Sequence, residues 1–426
     1  MNNLQDLHFR KEIIPLFDFV CNETSRDTLI DLMTDIPPAL EEVMERQDIL
    51  RAFLLQSDPL LLPFSYIRYE FNEVAAYIQD WRVRPIPDLS SLRLQYMLKR
   101  KLRDRERGSL TLLYLFLHKT CNAWFTRITP DAFPQAFADI LKNILQFIKD
   151  LEVEKYQAIA RGRGFTIPEI ILLLDKLAEK TRNGEMDIFW KNFHQFEAWL
   201  SIARGVHRHQ FTFPVFSTTR FEITGFYHPL LKNPVKNSIT IRENVTLITG
   251  PNMSGKSTLL KSLGLTVLLA RLGLAVPAAA CQLPFFDSIS VAIDLHDDLK
   301  SGYSHFMKEV VTLKNIVLAA GEGKKCFAIF DELFRGTNPE DALAITETTI
   351  RGLTRWPDSY FFISTHLHQL RDSLDEHTHP IGTRYIACRL EKGHPVFSYT
   401  LQEGWSDLKI GQVIFELEGL NKLLQA

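Results

Sequence analysis

Eight residues, Gly250-Pro251-Asn252-Met253-Ser254-Gly255-Lys256-Ser257, fit the pattern G-x-x-x-x-G-K-[S/T]. The chemistry of such a loop is phosphate binding. Its glycines let the backbone curl so that successive N–H groups point at phosphate oxygens. A helix starting where the loop ends adds partial positive charge behind them. Lys256 can reach the β- and γ-phosphates of a nucleoside triphosphate, and the Ser257 hydroxyl can ligate Mg²⁺. A glycine turn ahead of a core helix would share some of these residues. Context separates the two readings: an apolar, β-branched run, Val245–Thr249, precedes the loop and a long helical run follows it.

Two later strand ends supply the rest of a hydrolytic site. Residues 325–330, KCFAIF, read as an apolar strand ending in Asp331-Glu332. Asp331 can bind Mg²⁺ directly or through water, and Glu332 is placed to polarise an attacking water. Alone, two acids opening a turn would carry little. After a phosphate loop they form the Walker B arrangement. A third run, FFIS at 361–364, delivers Thr365 and His366 at its end, where ligands sit in parallel sheets. There His366 can sense the γ-phosphate or hold the water, although a lone histidine is commonly structural. Between the two Walker elements, residues 297–307 read DDLKSGYSHFM. A serine and glycine cluster opening a helix can bind phosphate through backbone amides; the plainer reading is a capped helix start.

The elements that must position these groups fall into two halves. Residues 1–210 read as helical, with proline and glycine breaks at 82–88 and 130–168. Helices are expected from Thr34-Asp35-Ile36-Pro37 onward, over 60–81, over 89–125 as one long element, and over 187–202. In the last of these Trp190, Phe193, Phe196 and Trp199 recur at helical spacing and belong to a core. Residues 98–107, LKRKLRDRER, are either a phosphate-contacting patch or a solvated helix face. Residues 211–426 alternate strands and helices. Strands are expected at 211–216, 238–241, 245–249, 289–293, 326–330 and 360–364, a helix at 259–274, and an edge hairpin at 385–401 turning at Lys392-Gly393. That order predicts a largely parallel, doubly wound α/β sheet.

Composition narrows the function class. With 46% hydrophobic and 23% charged residues the chain of 426 residues is an ordinary folded protein. A formal net charge of −2 provides no global field for nucleic acid or membrane, so DNA contact must come from a local patch. Five widely spaced cysteines form no metal or disulfide framework and fit a reducing cytoplasm. No signal core opens the chain, and the apolar stretch at 259–280 is interrupted by Lys261 and Arg271, so no membrane span is expected.

TGPNMSGKST, DDLKSGYSHFMKEV, FDELFRGTNPEDA and STHLHQL, in this order and spacing, resemble the ATPase domain of the MutS mismatch-repair proteins. Asn252 and Met253 inside the phosphate loop are more specific than the general pattern. HPLLKNPVKNSI, GLAVPAAA and FSYTLQEGWSDLKIG also look like that family, over about 200 residues in all. TDIPPALEEVMERQDIL and FEAWLSIARG resemble the start and end of its helical core. The resemblance implies an α/β P-loop ATPase of the ABC superfamily, MutS-type, preceded by an all-α core and lever region. It implies ATP and Mg²⁺ as ligands and a homodimer with composite sites. Gly250, Pro251, Asn252, Met253, Ser254, Gly255, Lys256, Ser257 and Thr258 would hold phosphates and Mg²⁺. Asp331 would be the magnesium acid, Glu332 the base and His366 the switch histidine. Ser304 would reach the partner's γ-phosphate, and Tyr399 would stack on adenine, with no second aromatic at Pro234-Val235. RGTNPEDA departs from the family's RGT-S-x-x-[DE]-G form.

The function expected from this resemblance is a MutS-like, ATP-dependent, DNA-binding switch in repair or recombination, with other repair proteins as further partners. The family's mismatch-reading and clamp domains are not expected in this chain. The alternative is an ATP-driven protein-interaction switch with no direct DNA role. A generic transporter ATPase fits poorly, because the Asn252-Met253 loop and SGYSHFM are foreign to it.

Overall fold

The computed structural model describes residues 7–56, 61, 64–83, 89–251, 253–293, 305–334, 336–367, 369–374, 380–391, 394–406, 410–418 and 420–425. The chain divides into two units. One comprises the residues through Pro15, Ile36–Met44 and His209–Ala426; the other comprises Leu16–Asp35 and Glu45–Arg208.

The second unit is helical. Its 25-residue helix Glu185–His209 runs further at both ends than the expected 187–202 and buries Trp190, Phe193, Phe196 and Trp199. Phe196 meets Phe125 at a ring-centroid distance of 4.7 Å and Phe53 at 5.7 Å; Phe193 meets Trp124 at 5.7 Å. The expected cap at Thr34-Asp35 proves to be a stop: it closes helix Glu23–Thr34, which Asn22 opens by accepting a hydrogen bond from Ser25 N–H. The next helix, Leu40–Leu54, starts past the two prolines. The element expected over 89–125 is two helices, Leu89–Leu98 and Arg100–Ala123, parted at Lys99, whose backbone (φ −106°, ψ 82°) is not helical. In the second stretch helix Arg68–Val83 covers the later part, and residue 60 lies outside the described residues.

Glu197 lies in this core at 2% exposure. Its carboxylate accepts from Ser25 Oγ (2.6 Å), Asn22 Nδ2 (2.7 Å), Tyr66 Oη (2.9 Å) and Cys21 N (3.0 Å). Burial pushes its pKa up, against these bonds. Glu197→Ala strands several buried donors at once, so it should cost about 3 kcal/mol of stability. Chemical unfolding of the variant beside the parent measures this; a loss within about 0.5 kcal/mol, the range of ordinary surface substitutions, would show that the network is not needed.

The first unit carries ten strands among the described residues: β1 (Val215–Phe216), β2 (Phe221–Phe226), β3 (Asn237–Ile241), β4 (Val245–Thr249), β5 (Ala280–Leu283), β6 (Ser288–Ala292), β7 (Cys326–Asp331), β8 (Tyr360–Ser364), β9 (Ile381–Glu391) and β10 (His394–Glu403). They form a four-stranded sheet, β1-β5-β2-β3, and a six-stranded sheet, β10-β9-β4-β8-β7-β6. In the larger sheet β6, β7, β8, β4 and β9 run parallel, and only β10 is antiparallel. Parallel strands need both faces covered. Val245, Leu247, Ala328, Phe330, Phe361 and Ile363 pack with helices His305–Gly321 and Pro339–Leu353. On the other face a Cβ on Gly264 of helix Lys256–Arg271 would lie 3.1 Å from Val291 and 3.2 Å from Ile329, so glycine permits a close approach there.

Two strands escape the sequence pattern. β2 is interrupted by Gly225 at φ +64°, and β5 is a short alanine-led strand. The expected run at 211–216 shrinks to β1, because Pro214 lacks an N–H to donate. The helix expected at 259–274 starts at Lys256 and stops before Gly273 at φ +78°, a left-handed end. Among the described residues no helix is long and apolar enough to cross a membrane. The hairpin turn at Lys392-Gly393 lies outside the described residues.

Candidate functional site

The C-terminal ends of β4, β7 and β8 lie side by side, and each carries part of the site. β4 leads into the phosphate loop. Gly250 (φ +141°) and Gly255 (φ +94°) hold conformations that suit glycine, and exposed Met253 is left-handed at φ +73°. Buried Ser254 closes the turn, its N–H reaching Pro251 O at 3.2 Å. Lys256 is 5% exposed and donates to Gly250 O at 2.7 Å and Pro251 O at 3.2 Å. Burial lowers its pKa; Glu332 and Asp331 oppose that shift. Ser257 and Thr258 are exposed on the first helical turn. Asn252 and Ser304 lie outside the described residues.

Ser257 Oγ donates to Asp331 Oδ2 at 2.5 Å across the loop and β7. Two hard oxygens so placed on adjacent elements are a donor set that fits Mg²⁺. Glu332, next along, has its carboxylate 4.0 Å from Lys256 Nζ and 3.9 Å from His366 Nδ1. It is 12% exposed at the side chain, and His366 is 55% exposed. Together they line a cleft of about 200 Å³ with Thr337 and Thr365. The arrangement can hold a phosphate chain on one side and a water against a carboxylate on the other.

Tyr399 also comes to the loop. A Cβ on Gly255 would meet Tyr399 Cδ1 at 3.1 Å. The ring stands on a bulge of β10, where the register against β9 shifts between Phe397 and Leu401 and Tyr399 takes φ +56°. Asn237 fixes this bulge from β3: Nδ2 donates to Tyr399 O at 3.0 Å and Oδ1 accepts from Leu401 N at 2.8 Å. Sequence reasoning missed Asn237, whose partners lie about 160 residues away. A cleft of about 330 Å³ opens here, lined by Tyr227, His228, Pro234, Val235, Thr258 and Tyr399. Tyr227 and His228 bring rings to the cleft that the sequence reading placed at Pro234-Val235 and did not find. Tyr399→Ala should weaken nucleotide binding about tenfold, the value of one lost stacking contact of about 1.4 kcal/mol. Titration with a fluorescent adenine nucleotide checks it; unchanged affinity would place the base elsewhere.

The departure at RGTNPEDA keeps its local chemistry. Asn338 caps helix Pro339–Leu353, accepting from Glu340 N at 2.9 Å and Asp341 N at 3.4 Å, and Pro339 takes the first helical position.

Comparison with known proteins points the same way as these motifs. Residues 246–424 match the family model MutS domain V. The chain is 28% identical over 315 residues to DNA mismatch repair protein MutS of Shouchella clausii (strain KSM-K16), covering 67% of this chain and 36% of that protein. It is 30% identical over 316 residues to DNA mismatch repair protein MutS of Bacillus thuringiensis (strain Al Hakam), covering 67% of this chain and 35% of that protein. The chain thus spans about a third of the length of the curated relatives it matches. Residues 246–424 thus match MutS domain V, the P-loop ATPase domain, and two thirds of the chain is similar to MutS proteins.

Proposed function

We propose that this chain is a MutS-like ATPase switch that binds and hydrolyses Mg²⁺-ATP, pairs with a second copy and acts on DNA. The observation that carries the reading is the meeting of Ser257 and Asp331, with Lys256 and His366 each about 4 Å from Glu332. The amides and glycines of 250–258 would cradle the phosphates, and Lys256 would neutralise the β- and γ-phosphates. Ser257 and Asp331 would hold magnesium, which when bound withdraws charge from the phosphate oxygens. Glu332 would take the proton of the attacking water, and His366 would orient that water at the γ-phosphate. Tyr399 would stack on adenine. Ser304 of a second copy would complete the site, the role that the family resemblance gives it.

DNA contact is assigned to the basic run. Arg100, Lys101 and Arg105 are exposed on helix Arg100–Ala123, and Lys99 is exposed at the break before it. Asp104 pairs with Arg100 (3.4 Å), Arg103 (3.4 Å) and Arg107 (3.7 Å), and that partial neutralisation favours the second reading, a protein-interaction switch without DNA. Fluorescence anisotropy with labelled duplex and branched DNA decides between them. Affinity should fall steeply with salt, and the pair Arg100→Glu with Lys101→Glu should bind at least about tenfold more weakly. Binding indifferent to both changes would favour the protein-interaction switch.

A further inference from the structure

The turn that follows Asp331 is held in an unusual backbone. Glu332 takes φ +56° and Phe334 takes φ +63°. L side chains avoid this left-handed region, so two such residues in three persist only where neighbours impose them.

The neighbours come from two other elements. Glu332 N–H is shared between Ser364 Oγ (3.0 Å) and Ser364 O (3.2 Å) on β8, and Ser364 Oγ itself donates to Asp331 Oδ1. Phe334 N–H donates to Glu309 Oε2 at 2.8 Å, from helix His305–Gly321. Both side chains are buried, Ser364 at 0% and Glu309 at 3% exposure. The same helix packs along the turn: the Phe306 and Phe334 ring centroids are 5.8 Å apart, and a Cβ on Gly336 would lie 3.3 Å from Phe306 Cβ. Burial pushes the Glu309 carboxyl up to about 7, opposed by its bond to Phe334 N–H. Glu309 and Ser364 each capture the amide of a residue in the strained turn.

We propose that Ser364 and Glu309 are positioning residues that clamp the turn Glu332–Phe334 from two sides and so aim the carboxylates of Asp331 and Glu332. Ser364 fixes both acids through one hydroxyl. Glu309 ties them to the helix that follows residues 301–304. A shift of that helix reaches the hydrolytic pair through this hydrogen bond and through the packing of Phe306 on Phe334. The catalytic consequence rests on the ATPase reading above; the clamp itself is readable without turnover.

The test uses the full chain with Ser364→Ala, Glu309→Ala and Glu309→Gln. Amide hydrogen exchange is followed on the peptide spanning 331–336, with phosphate release and its Mg²⁺ dependence measured alongside. Glu309→Ala should speed exchange there by roughly tenfold, the effect of one lost hydrogen bond, and Ser364→Ala by less, because Ser364 O still accepts from Glu332 N–H. Turnover in both should fall about 10- to 100-fold at unchanged magnesium-free nucleotide affinity. In Ser364→Ala the Mg²⁺ concentration for half-maximal rate should also rise. Glu309→Gln keeps an oxygen for Phe334 N–H, so its exchange and turnover should stay near the parent's. Parent-like exchange in both alanine variants overturns the clamp, and so does a Gln variant as loose as Glu309→Ala. If the parent hydrolyses nothing, the ATPase reading fails, while the exchange rates still decide the clamp.

Discussion

Lys256→Ala should abolish ATP hydrolysis and weaken ATP binding by about 100-fold or more, the scale of removing one partner from a buried charge pair. The ammonium is held by Gly250 O and Pro251 O, so it is already aimed before nucleotide arrives. Its burial strips it of water, which strengthens its attraction for phosphate. On the proposed reading, alanine would leave two phosphates facing a loop without its cation. Nucleotide titration and phosphate release are the checks. Parent-like turnover in a folded variant would remove Lys256 from the site.

Glu332→Gln should separate binding from chemistry. Glutamine has nearly the same shape, and the backbone bonds of residue 332 to Ser364 do not involve the changed atoms. On the proposed role of Glu332, what is lost is the ability to take a proton from water. General-base contributions of this kind are worth about 100- to 10,000-fold, and turnover should drop within that range with ATP affinity within about twofold of the parent. ATP retained without hydrolysis should also hold two copies together. Single-turnover hydrolysis and sedimentation with ATP measure both effects. Rapid turnover in Glu332→Gln would move the base elsewhere, and a variant that stays monomeric with bound ATP would count against the composite site.

The parts of this site that could be read from sequence share one property: each motif sits at the end of a continuous apolar strand. Val245–Thr249, Cys326–Asp331 and Tyr360–Ser364 are buried on both sheet faces, so their composition alone marks them, and the polar residues that follow fall at the strand ends. β2 and β5 were not legible because a glycine and a short alanine-led run blur the alternation. The break at Lys99 leaves no proline or glycine behind it, so helical periodicity ran straight through. Asn237, Ser364 and Glu309 act through partners brought near only by folding: Asn237 on a bulge more than a hundred residues away, Ser364 and Glu309 on a turn across the sheet. Local pattern carries no trace of such pairs. The grouping of Ile36–Met44 with the C-terminal unit is of the same kind, since Arg271 Nη1 bonds to Pro37 O from the far end of the phosphate-loop helix.

The most direct measurement is steady-state ATP hydrolysis by the purified protein in Mg²⁺. It is run without DNA and with duplex, mismatched and branched DNA, at low and at physiological salt. Magnesium-dependent turnover that DNA stimulates and salt suppresses is the expected result. Turnover indifferent to every DNA would contradict the DNA-acting switch, and absence of hydrolysis under all conditions would contradict the ATPase itself.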